Sequence, residues 1–315
     1  MVSFIVIGKN EGWRLEKCLR SIKSTAPQEL NQPYEIIYVD SRSKDSCIDI
    51  SKKYADKVIQ LTGECNAAIG RNIGAKEAGG NILFFLDGDM ELRSGVLKSI
   101  IGNDGCLTYP FMSGVEYDYL YDNEWNKVEE KPRRVYKDGE ATFEKVTGGL
   151  FVIDRTIWEK VGGMDNRFVR SQDYDFGLRV CNIGVKLKRL GALWVNHYTR
   201  YYAVRTDSLT VFKYPALLTR KHFLEPNAFR TLFFWNYSAY LLVICVASSL
   251  LALNYWLLLP YFVVLLYRSA KVVMRTPTGL GFVRTFYKRF IKDLLFIYYF
   301  CTFYPKQPHV DYSVK

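Results

Sequence analysis

Short apolar runs alternate with helical patterns through the first hundred residues of the chain. The first run covers residues 2–7, and apolar side chains then recur at helical spacing from Trp13 to Ile22. Further apolar runs follow at 34–39, 57–61 and 82–86, with helical patterns at 43–54 and 66–78 between them. This order predicts a mainly parallel sheet covered by helices on both faces, a doubly wound α/β fold.

The pattern is less regular after residue 113. Residues 113–146 are polar and rich in tyrosine, and we interpret them as an inserted loop region. Apolar runs at 150–153, 185–190 and 192–195 indicate three more strands, and the segments 155–161 and 172–182 have helical patterns. His197 comes shortly after the last of these predicted strands.

No charged residue occurs between positions 232 and 267. One membrane-spanning helix needs about 20 apolar residues, so this stretch is too long for one helix and fits two joined near Asn254. We therefore predict a transmembrane helical hairpin, with Trp and Tyr side chains near its ends as interface anchors. The alternative is a buried helical pair in a soluble domain. The apolar segment 294–304 is too short to span and is expected to lie in the interface or beside the hairpin.

The basic charge lies next to this apolar stretch. The chain has a net charge of +11, and residues 229–315 contain ten Lys and Arg but two acidic residues. Basic residues beside an inserted segment favour a membrane surface and argue against nucleic acid as a partner. By the positive-inside tendency this segment is cytoplasmic. A hairpin returns the chain to its starting side, so residues 1–228 are expected in the cytoplasm too, in a multi-pass protein of the cell membrane.

The seven cysteines are scattered and include no C-x-x-C pair. This pattern favours reduced thiols over a disulfide framework or a structural zinc site.

Two carboxylates directly follow the fourth predicted strand, in the sequence Asp87-Gly-Asp89. Ligands of parallel sheets bind beyond the carboxyl ends of the strands, where Asp40 also lies. Carboxylates in this position are suited to a hard divalent cation, Mg2+ or Mn2+, whose coordination shell the phosphates of a nucleotide would complete.

Seven segments in this order resemble the family 2 glycosyltransferases, inverting enzymes with a GT-A fold. The resemblance covers roughly residues 2–200. Its segments include the Asn-Glu turn after the first strand, Asp-Ser-Arg-Ser-Lys-Asp after the second, the Gly-Arg-Asn helix and the Asp-Gly-Asp motif. On the acceptor side it includes residues 148–149, 161–165 and 172–179.

The resemblance implies a role for each matching residue. Ile7, Lys9 and Glu11 would line the base and ribose pocket, and Asp40 would face the nucleoside. Arg71 would pair with the base or the pyrophosphate. Asp87 and Asp89 would place the metal on the diphosphate, and Asp173 would be the general base. His197 is either a further metal ligand or a structural histidine. In an inverting transfer the acceptor hydroxyl loses a proton as it attacks. A carboxylate within hydrogen-bond distance can accept that proton.

The resemblance, which covers the catalytic domain, and the composition of the later residues together imply the domain order and the function. We expect a GT-A catalytic domain at 1–205, an amphipathic connector at 206–230, the hairpin at 231–267 and a basic cytoplasmic segment with a short interfacial helix at 268–315. The enzyme would move one sugar from a nucleotide-diphospho-sugar to a lipid-linked or glycan acceptor in cell-surface glycan or polysaccharide synthesis.

Some positions depart from the family pattern. Ser41 replaces an Asp, Gln172 replaces a Glu, Lys9 replaces a Tyr, and the Gln-x-x-Arg-Trp motif of processive synthases does not follow His197. The missing motif favours transfer of a single sugar. Two alternatives stay open: a nucleotidyltransferase of similar fold, and a non-catalytic membrane scaffold that has kept the fold.

Overall fold

The computed structural model describes residues 1–133, 140–200, 212–275 and 281–315. The chain forms two compact units. Met1–Asp207 and Lys306–Lys315 make up one of them, here called the sheet unit, and Ser208–Pro305 make up the helical unit. The boundary predicted between residues 205 and 206 lies outside the described residues.

The first half of the sheet unit has the predicted parallel order. Its elements are β1 (Val2–Gly8), α1 (Trp13–Glu29), β2 (Tyr34–Asp40), α2 (Cys47–Tyr54), β3 (Lys57–Leu61), α3 (Ala67–Glu77) and β4 (Ile82–Asp87). The strands lie side by side in the order β3, β2, β1, β4, and each neighbouring pair is parallel. Continuous apolar sequence is typical of such strands because both of their faces are covered.

The second half of the sheet mixes strand directions. Its elements are β5 (Met90–Leu92), α4 (Val96–Ile100), β6 (Phe111–Tyr121), β7 (Lys127–Arg133), β8 (Thr142–Glu144), β9 (Phe151–Asp154), α5 (Arg155–Lys160), α6 (Gln172–Asn182) and β10 (Leu187–Arg200). Strand β9 is antiparallel to both β4 and β6, whereas β10 runs parallel to β6. The expectation of a mainly parallel sheet therefore applies to the first half only.

The prediction of a loop at 113–146 is wrong. Strand β6 lies inside the sheet between β9 and β10, and it also forms a hairpin with β7. The two strands predicted at 185–190 and 192–195 are one long strand, β10, whose register with β6 shifts between Arg189 and Val195. His197 is consequently a strand residue rather than part of a following loop.

Helix α3 packs closely on the strands beneath it because of a glycine. A Cβ atom added at Gly74 would lie 2.3 Å from Cγ2 of Ile5, which is far inside van der Waals contact. Both faces of the sheet are covered by apolar clusters, one including Phe4, Leu19 and Phe84, the other including Ile5, Phe85 and Phe151. This packing fixes the carboxyl ends of β1, β2 and β4 relative to α3.

A buried arginine ties together the strands of the second half. Arg189 is fully buried, and its guanidinium donates to Glu144, Ser113 and the carbonyl oxygens of Gly114, Val146 and Thr147. These partners lie on β6, on β8 and in the segment that leads to Gly148 and Gly149. Arg189 thus holds that segment against the sheet.

The helical unit contains α7 (Lys213–His222), α8 (Pro226–Leu251), a 3-10 turn (Tyr255–Leu258), α9 (Leu259–Arg275) and α10 (Phe282–Thr302). Two stretches, Pro226–Leu251 and Tyr255–Met274, are long and apolar enough to cross a membrane, judged by length and composition alone. The chain turns between them at the position expected near Asn254. Helix α10 is nearly twice as long as the apolar segment 294–304, because its first half is amphipathic rather than apolar.

The last residues return to the sheet. Strand β11 (Tyr312–Val314) pairs antiparallel with β3, and the Thr62 hydroxyl donates to Asp311 at 2.8 Å. Residues 306–315 therefore belong to the sheet unit and cover the outer edge of β3, an edge that would otherwise present unpaired backbone groups. This differs from the sequence-based assignment of these residues to the basic segment.

We predict that Arg189→Leu lowers the free energy of unfolding by about 3 kcal/mol or more, because it leaves buried acceptors and Glu144 without their partner. At 2–4 °C per kcal/mol, the melting temperature should fall by about 6 °C or more. Thermal unfolding of the purified protein measures this. Lys186→Ala, an exposed charge removed just before the same strand, is the control and should melt like the wild type. Equal melting of the two variants would contradict the role given to Arg189.

Candidate active site

The carboxyl ends of the central strands bring the predicted site residues to one edge of the sheet. In the parallel register Ile7 of β1 lies opposite Asp87 of β4, and Gly8 lies opposite Asp40 of β2. The turn after β1 supplies Lys9 and Glu11, and the turn after β4 supplies Asp89. The expected cluster at this edge is therefore present in the fold.

Asp87 is held by the helix that the Gly-Arg-Asn motif forms. Arg71 of α3 is 2% exposed, and its Nη2 lies 2.6 Å from Oδ1 of Asp87. The other two nitrogens of this guanidinium, Nε and Nη1, are buried and have no hydrogen-bond partner in the described residues. A Cβ atom at Gly149 would lie 2.0 Å from the other carboxylate oxygen of Asp87, so only glycine fits there. Arg71 thus contacts Asp87 through Nη2, and its Nε and Nη1 can still donate to a ligand.

Asp89 and Glu11 share an arginine that the sequence analysis did not single out. Arg14 of α1 places Nη2 2.6 Å from Glu11 and Nη1 3.5 Å from Oδ2 of Asp89. Burial and the neighbouring Asp89 raise the pKa of Glu11 to about 7, against the opposing effect of Arg14. For Asp89, burial favours the neutral acid, but His197 and Arg14 outweigh it and lower the pKa. Asp89 is therefore the ionised member of this pair.

His197 lies between two aspartates. Its Nδ1 is 2.8 Å from Oδ1 of Asp118, its strand neighbour on β6, and its Nε2 is 3.4 Å from Oδ2 of Asp89. Burial alone would lower the pKa of this imidazole, but Asp89 and Asp118 raise it well above the ordinary value. The backbone amide of Tyr198 also donates to the carbonyl of Asp89 at 2.9 Å, which fixes the Asp89 turn against β10.

Glu116 and Asp118 are site residues that the sequence analysis missed. With His197 they form a group whose ligand atoms lie within 4.8 Å of one another. Arg133 of β7 lies 2.8 Å from Glu116 and 3.9 Å from Asp118. The period-2 alternation of Glu116, Asp118 and Leu120 with three tyrosines is the strand signal that could have found them.

The charges at this edge do not balance. Among the described residues, this group contains five carboxylates and three arginines; the acids are Glu11, Asp87, Asp89, Glu116 and Asp118, and the bases are Arg14, Arg71 and Arg133. Two negative charges remain, which is the charge that one divalent cation would neutralise. Without a metal, a proton bound to His197 and a proton bound to Glu11 would neutralise the same two charges.

The other residues predicted to bind the donor, Lys9, Ile7 and Asp40, do not belong to this charged group. Lys9 lines a cavity of about 400 Å³ together with Asn10, Arg42, Lys44 and Cys65. Ile7 is 7% exposed and belongs to the core. Asp40 is fully buried and accepts from the Tyr38 hydroxyl at 3.1 Å and from the Ser43 amide at 2.9 Å. Both of its oxygens thus hold the turn after β2.

Asp173 is half-buried in the first turn of α6. Its side chain makes no hydrogen bond or ion pair with the residues that the structure describes, so the carboxylate is available. Asp175, two residues later, is fully buried and lies 2.9 Å from Arg179, the pairing expected from their spacing. Asp175 therefore stabilises the helix, while Asp173 has no such structural partner.

Comparison with known proteins agrees with this geometry. The sequence profile described as Glycosyl transferase family 2 matches residues 3–104, which contain β1 to β4, Arg71 and both aspartates of the Asp-Gly-Asp motif. Residues 3–104 are thus similar to the family 2 glycosyltransferases. The crystal structure of GalNAc-T7 with UDP, GalNAc and Mn2+ has the same fold, with a TM-score of 0.57 and 16% identity over 72% of this chain and 48% of that one.

Curated relatives of this glycosyltransferase domain are distant. The probable N-acetylgalactosaminyltransferase 7 of Caenorhabditis elegans is 22% identical, over 66% of this chain and 46% of the relative. An uncharacterized glycosyltransferase of Haemophilus influenzae is 25% identical, over 57% of this chain and 62% of the relative. The chain thus spans less than two thirds of the length of either relative.

We predict that His197 stays protonated at neutral pH in the metal-free protein, and that Asp118→Asn lowers its pKa by about one pH unit or more, because a neighbouring negative charge is lost. The pKa of His197 in the folded protein lies above its value in the unfolded chain. Its full contribution to stability is therefore present at pH values below the unfolded pKa, and it is lost as the pH rises through the folded pKa. NMR titration of the imidazole protons measures this, because the chain has three histidines and His197→Gln identifies the signal. An unchanged titration in Asp118→Asn would contradict the pairing.

Proposed function

We propose that the protein is a metal-dependent glycosyltransferase that moves one sugar from a nucleotide-diphospho-sugar to an acceptor. The observation that carries the proposal is that Oδ2 of Asp89 and Nε2 of His197 lie 3.4 Å apart, in a group where, among the described residues, carboxylates outnumber arginines. The family 2 profile, which matches residues 3–104 and so includes Asp89, supports it.

The residues present fit a divalent cation, Mg2+ or Mn2+. Oδ1 of Asp89 is buried and has no hydrogen-bond partner in the described residues. Ligand atoms of an octahedral ion with bonds of about 2.1 Å lie about 3 Å apart, close to the separation of Asp89 and Nε2 of His197. Asp118 would then orient the imidazole through Nδ1, as carboxylates commonly do for metal-bound histidines. Asp87 would assist from the same turn. The cation would stabilise the charge that develops on the departing diphosphate.

The donor would occupy the edge between β1 and β2. The cavity lined by Lys9, Arg42 and Lys44 offers three cations to a nucleotide. The unpaired nitrogens of Arg71 are suited to phosphate oxygens, because a guanidinium matches their geometry. Glu11 accepts from the amide of Lys9, a residue of this cavity, and shares Arg14 with Asp89, so a ribose hydroxyl would donate to Glu11. The related GalNAc-T7 structure contains UDP, which makes UDP the first nucleotide to test.

Asp173 would act as the general base of an inverting transfer. Its carboxylate has no partner in the described residues and lies at a helix N-terminus, where the negative charge is favoured. In a direct displacement the acceptor hydroxyl attacks the anomeric carbon, Asp173 takes its proton, and the nucleoside diphosphate leaves with the bonding electrons. The product would have the opposite anomeric configuration to the donor.

The acceptor is proposed to be lipid-linked and the enzyme to be bound to the cell membrane. Both ends of the helical unit continue into the sheet unit, so any membrane crossings by the helical unit would be even in number. Two candidate spans meet this condition. The basic residues that follow the second span favour a cytoplasmic position for the sheet unit. The product would belong to a cell-surface glycan or polysaccharide.

We expect a nucleoside diphosphate to bind more tightly with Mn2+ than without it, and Asp89→Ala to abolish the difference. Calorimetry on the detergent-purified protein with UDP, GDP, CDP and ADP measures this. Asp104→Ala, an exposed acid in the loop after α4, is the control and should keep the metal effect. No binding of any nucleotide in either condition would favour the non-catalytic scaffold.

Asp173→Asn is expected to lower the transfer rate by about 10²–10⁴-fold, the usual contribution of a general base. Nucleotide affinity should stay within about twofold, since Asp173 makes no contact that shapes the donor cavity. Glu159→Gln, 62% exposed on α5, is the matched control. A normal rate in Asp173→Asn, or a product that retains the donor configuration, would contradict this role.

The hairpin predicts that the turn after α8 and the C-terminus face opposite sides of the membrane. Single cysteines at Leu253, 92% exposed, and at Lys315 should react with an impermeant maleimide from opposite sides of sealed vesicles. The exposed Cys106 and Cys301 are first replaced by Ser. Labelling of both positions from one side would exclude the hairpin as a membrane-crossing element.

A further inference from the structure

The helical unit contains a group of charged side chains between its helices. Arg268 of α9 donates to the Ser238 hydroxyl of α8 and lies 4.5 Å above the ring of Tyr237. Asp293 of α10 is 3% exposed, accepts from the Tyr261 hydroxyl of α9 at 3.3 Å and also interacts with Ser238. Residues of all three helices thus meet at one point.

Two further cations precede Asp293 on α10. Arg289 is four residues before it and Lys292 directly precedes it, and both are half-buried. Each of these charges acts on the other and on Arg268 and Asp293. Neither side chain makes a hydrogen bond or an ion pair with the residues that the structure describes. The group therefore holds three cations and one carboxylate.

A half-buried cation without an ionic partner is stabilised by binding an anion. Removing charges from water is unfavourable unless they are paired, and like charges repel one another more strongly where water is scarce. Among the described residues of this group, one carboxylate offsets one of the three cations, which leaves two positive charges. The cluster lies beside helices whose apolar side chains are exposed, among them Val263, Leu266 and Val283. A ligand that combines an anionic head with an apolar chain matches both features.

We propose that Arg268, Arg289 and Lys292 form a binding site for the phosphate headgroup of a lipid. Arginine forks and the lysine ammonium would donate to the phosphate oxygens, Asp293 and Ser238 would hold Arg268 in place, and the exposed apolar faces of α9 and α10 would contact the acyl or prenyl chain. This site deepens the proposed function, because the acceptor phosphate of a polyprenyl lipid has this chemistry.

Native mass spectrometry of the detergent-purified full chain tests the site without any donor, so its result is independent of transfer activity. The probes are a polyprenyl monophosphate, the matching polyprenol and phosphatidylglycerol. We expect the polyprenyl monophosphate to bind, and the double variant R289Q/K292Q to weaken its binding at least about tenfold, because two charge-assisted contacts are lost. The matched control R284Q/K288Q removes two exposed charges from the same helix and should bind like the wild type.

The charge-conserving double variant R289K/K292R should keep most of the binding, and thermal melting checks that all variants are folded. If phosphatidylglycerol binds as tightly with the same dependence on Arg289 and Lys292, the site is supported and its natural ligand is a bulk membrane lipid. Equal binding of the polyprenol and its phosphate, or equal binding by R289Q/K292Q and R284Q/K288Q, would overturn the proposal. Binding together with inactive transfer would leave this site standing and count against the proposed function alone.

Discussion

The concentration of acid beyond the ends of β1 and β4 and along the middle of β6 is the constraint on which the site depends. The sheet brings five carboxylates together there, and a fold that does so must compensate them. Arg14, Arg71 and Arg133 supply part of the compensation from three different elements. The residual charge of two is what makes a divalent cation the natural complement. The neighbouring carboxylates also raise the pKa of His197, and burial, followed by Asp89, raises the pKa of Glu11.

The half of the site that lies on parallel strands could be predicted from the sequence. Buried parallel strands are continuous apolar runs, so their ends, and with them Asp87 and Asp89, are easy to locate. Glu116 and Asp118 were missed because their charges suggested a polar loop, although their alternation with tyrosines has the period of a strand. Contacts with His197 and Arg133, which are distant in sequence, bury these acids, and no local pattern reports such contacts.

The C-terminal elements β11 and α10 were also incompletely predicted from local sequence. Strand β11 has three residues and pairs only because the chain returns to the edge of β3, so the sequence carries almost no signal for it. Helix α10 begins twelve residues before its apolar segment, since its basic first half is amphipathic. The two long apolar helices, by contrast, follow directly from a stretch without charge. Length and composition predict elements well, whereas tertiary pairing decides where the elements end.

The position of the metal is the central claim, and one diffraction measurement tests it directly. Crystals soaked with Mn2+ and a nucleoside diphosphate would locate the ion by its anomalous scattering. The account predicts a peak within about 2.3 Å of both Asp89 and Nε2 of His197, with Asp118 on the far side of the imidazole. A peak between Glu116 and Asp118 on the Nδ1 side, or no peak at the strand ends, would contradict it.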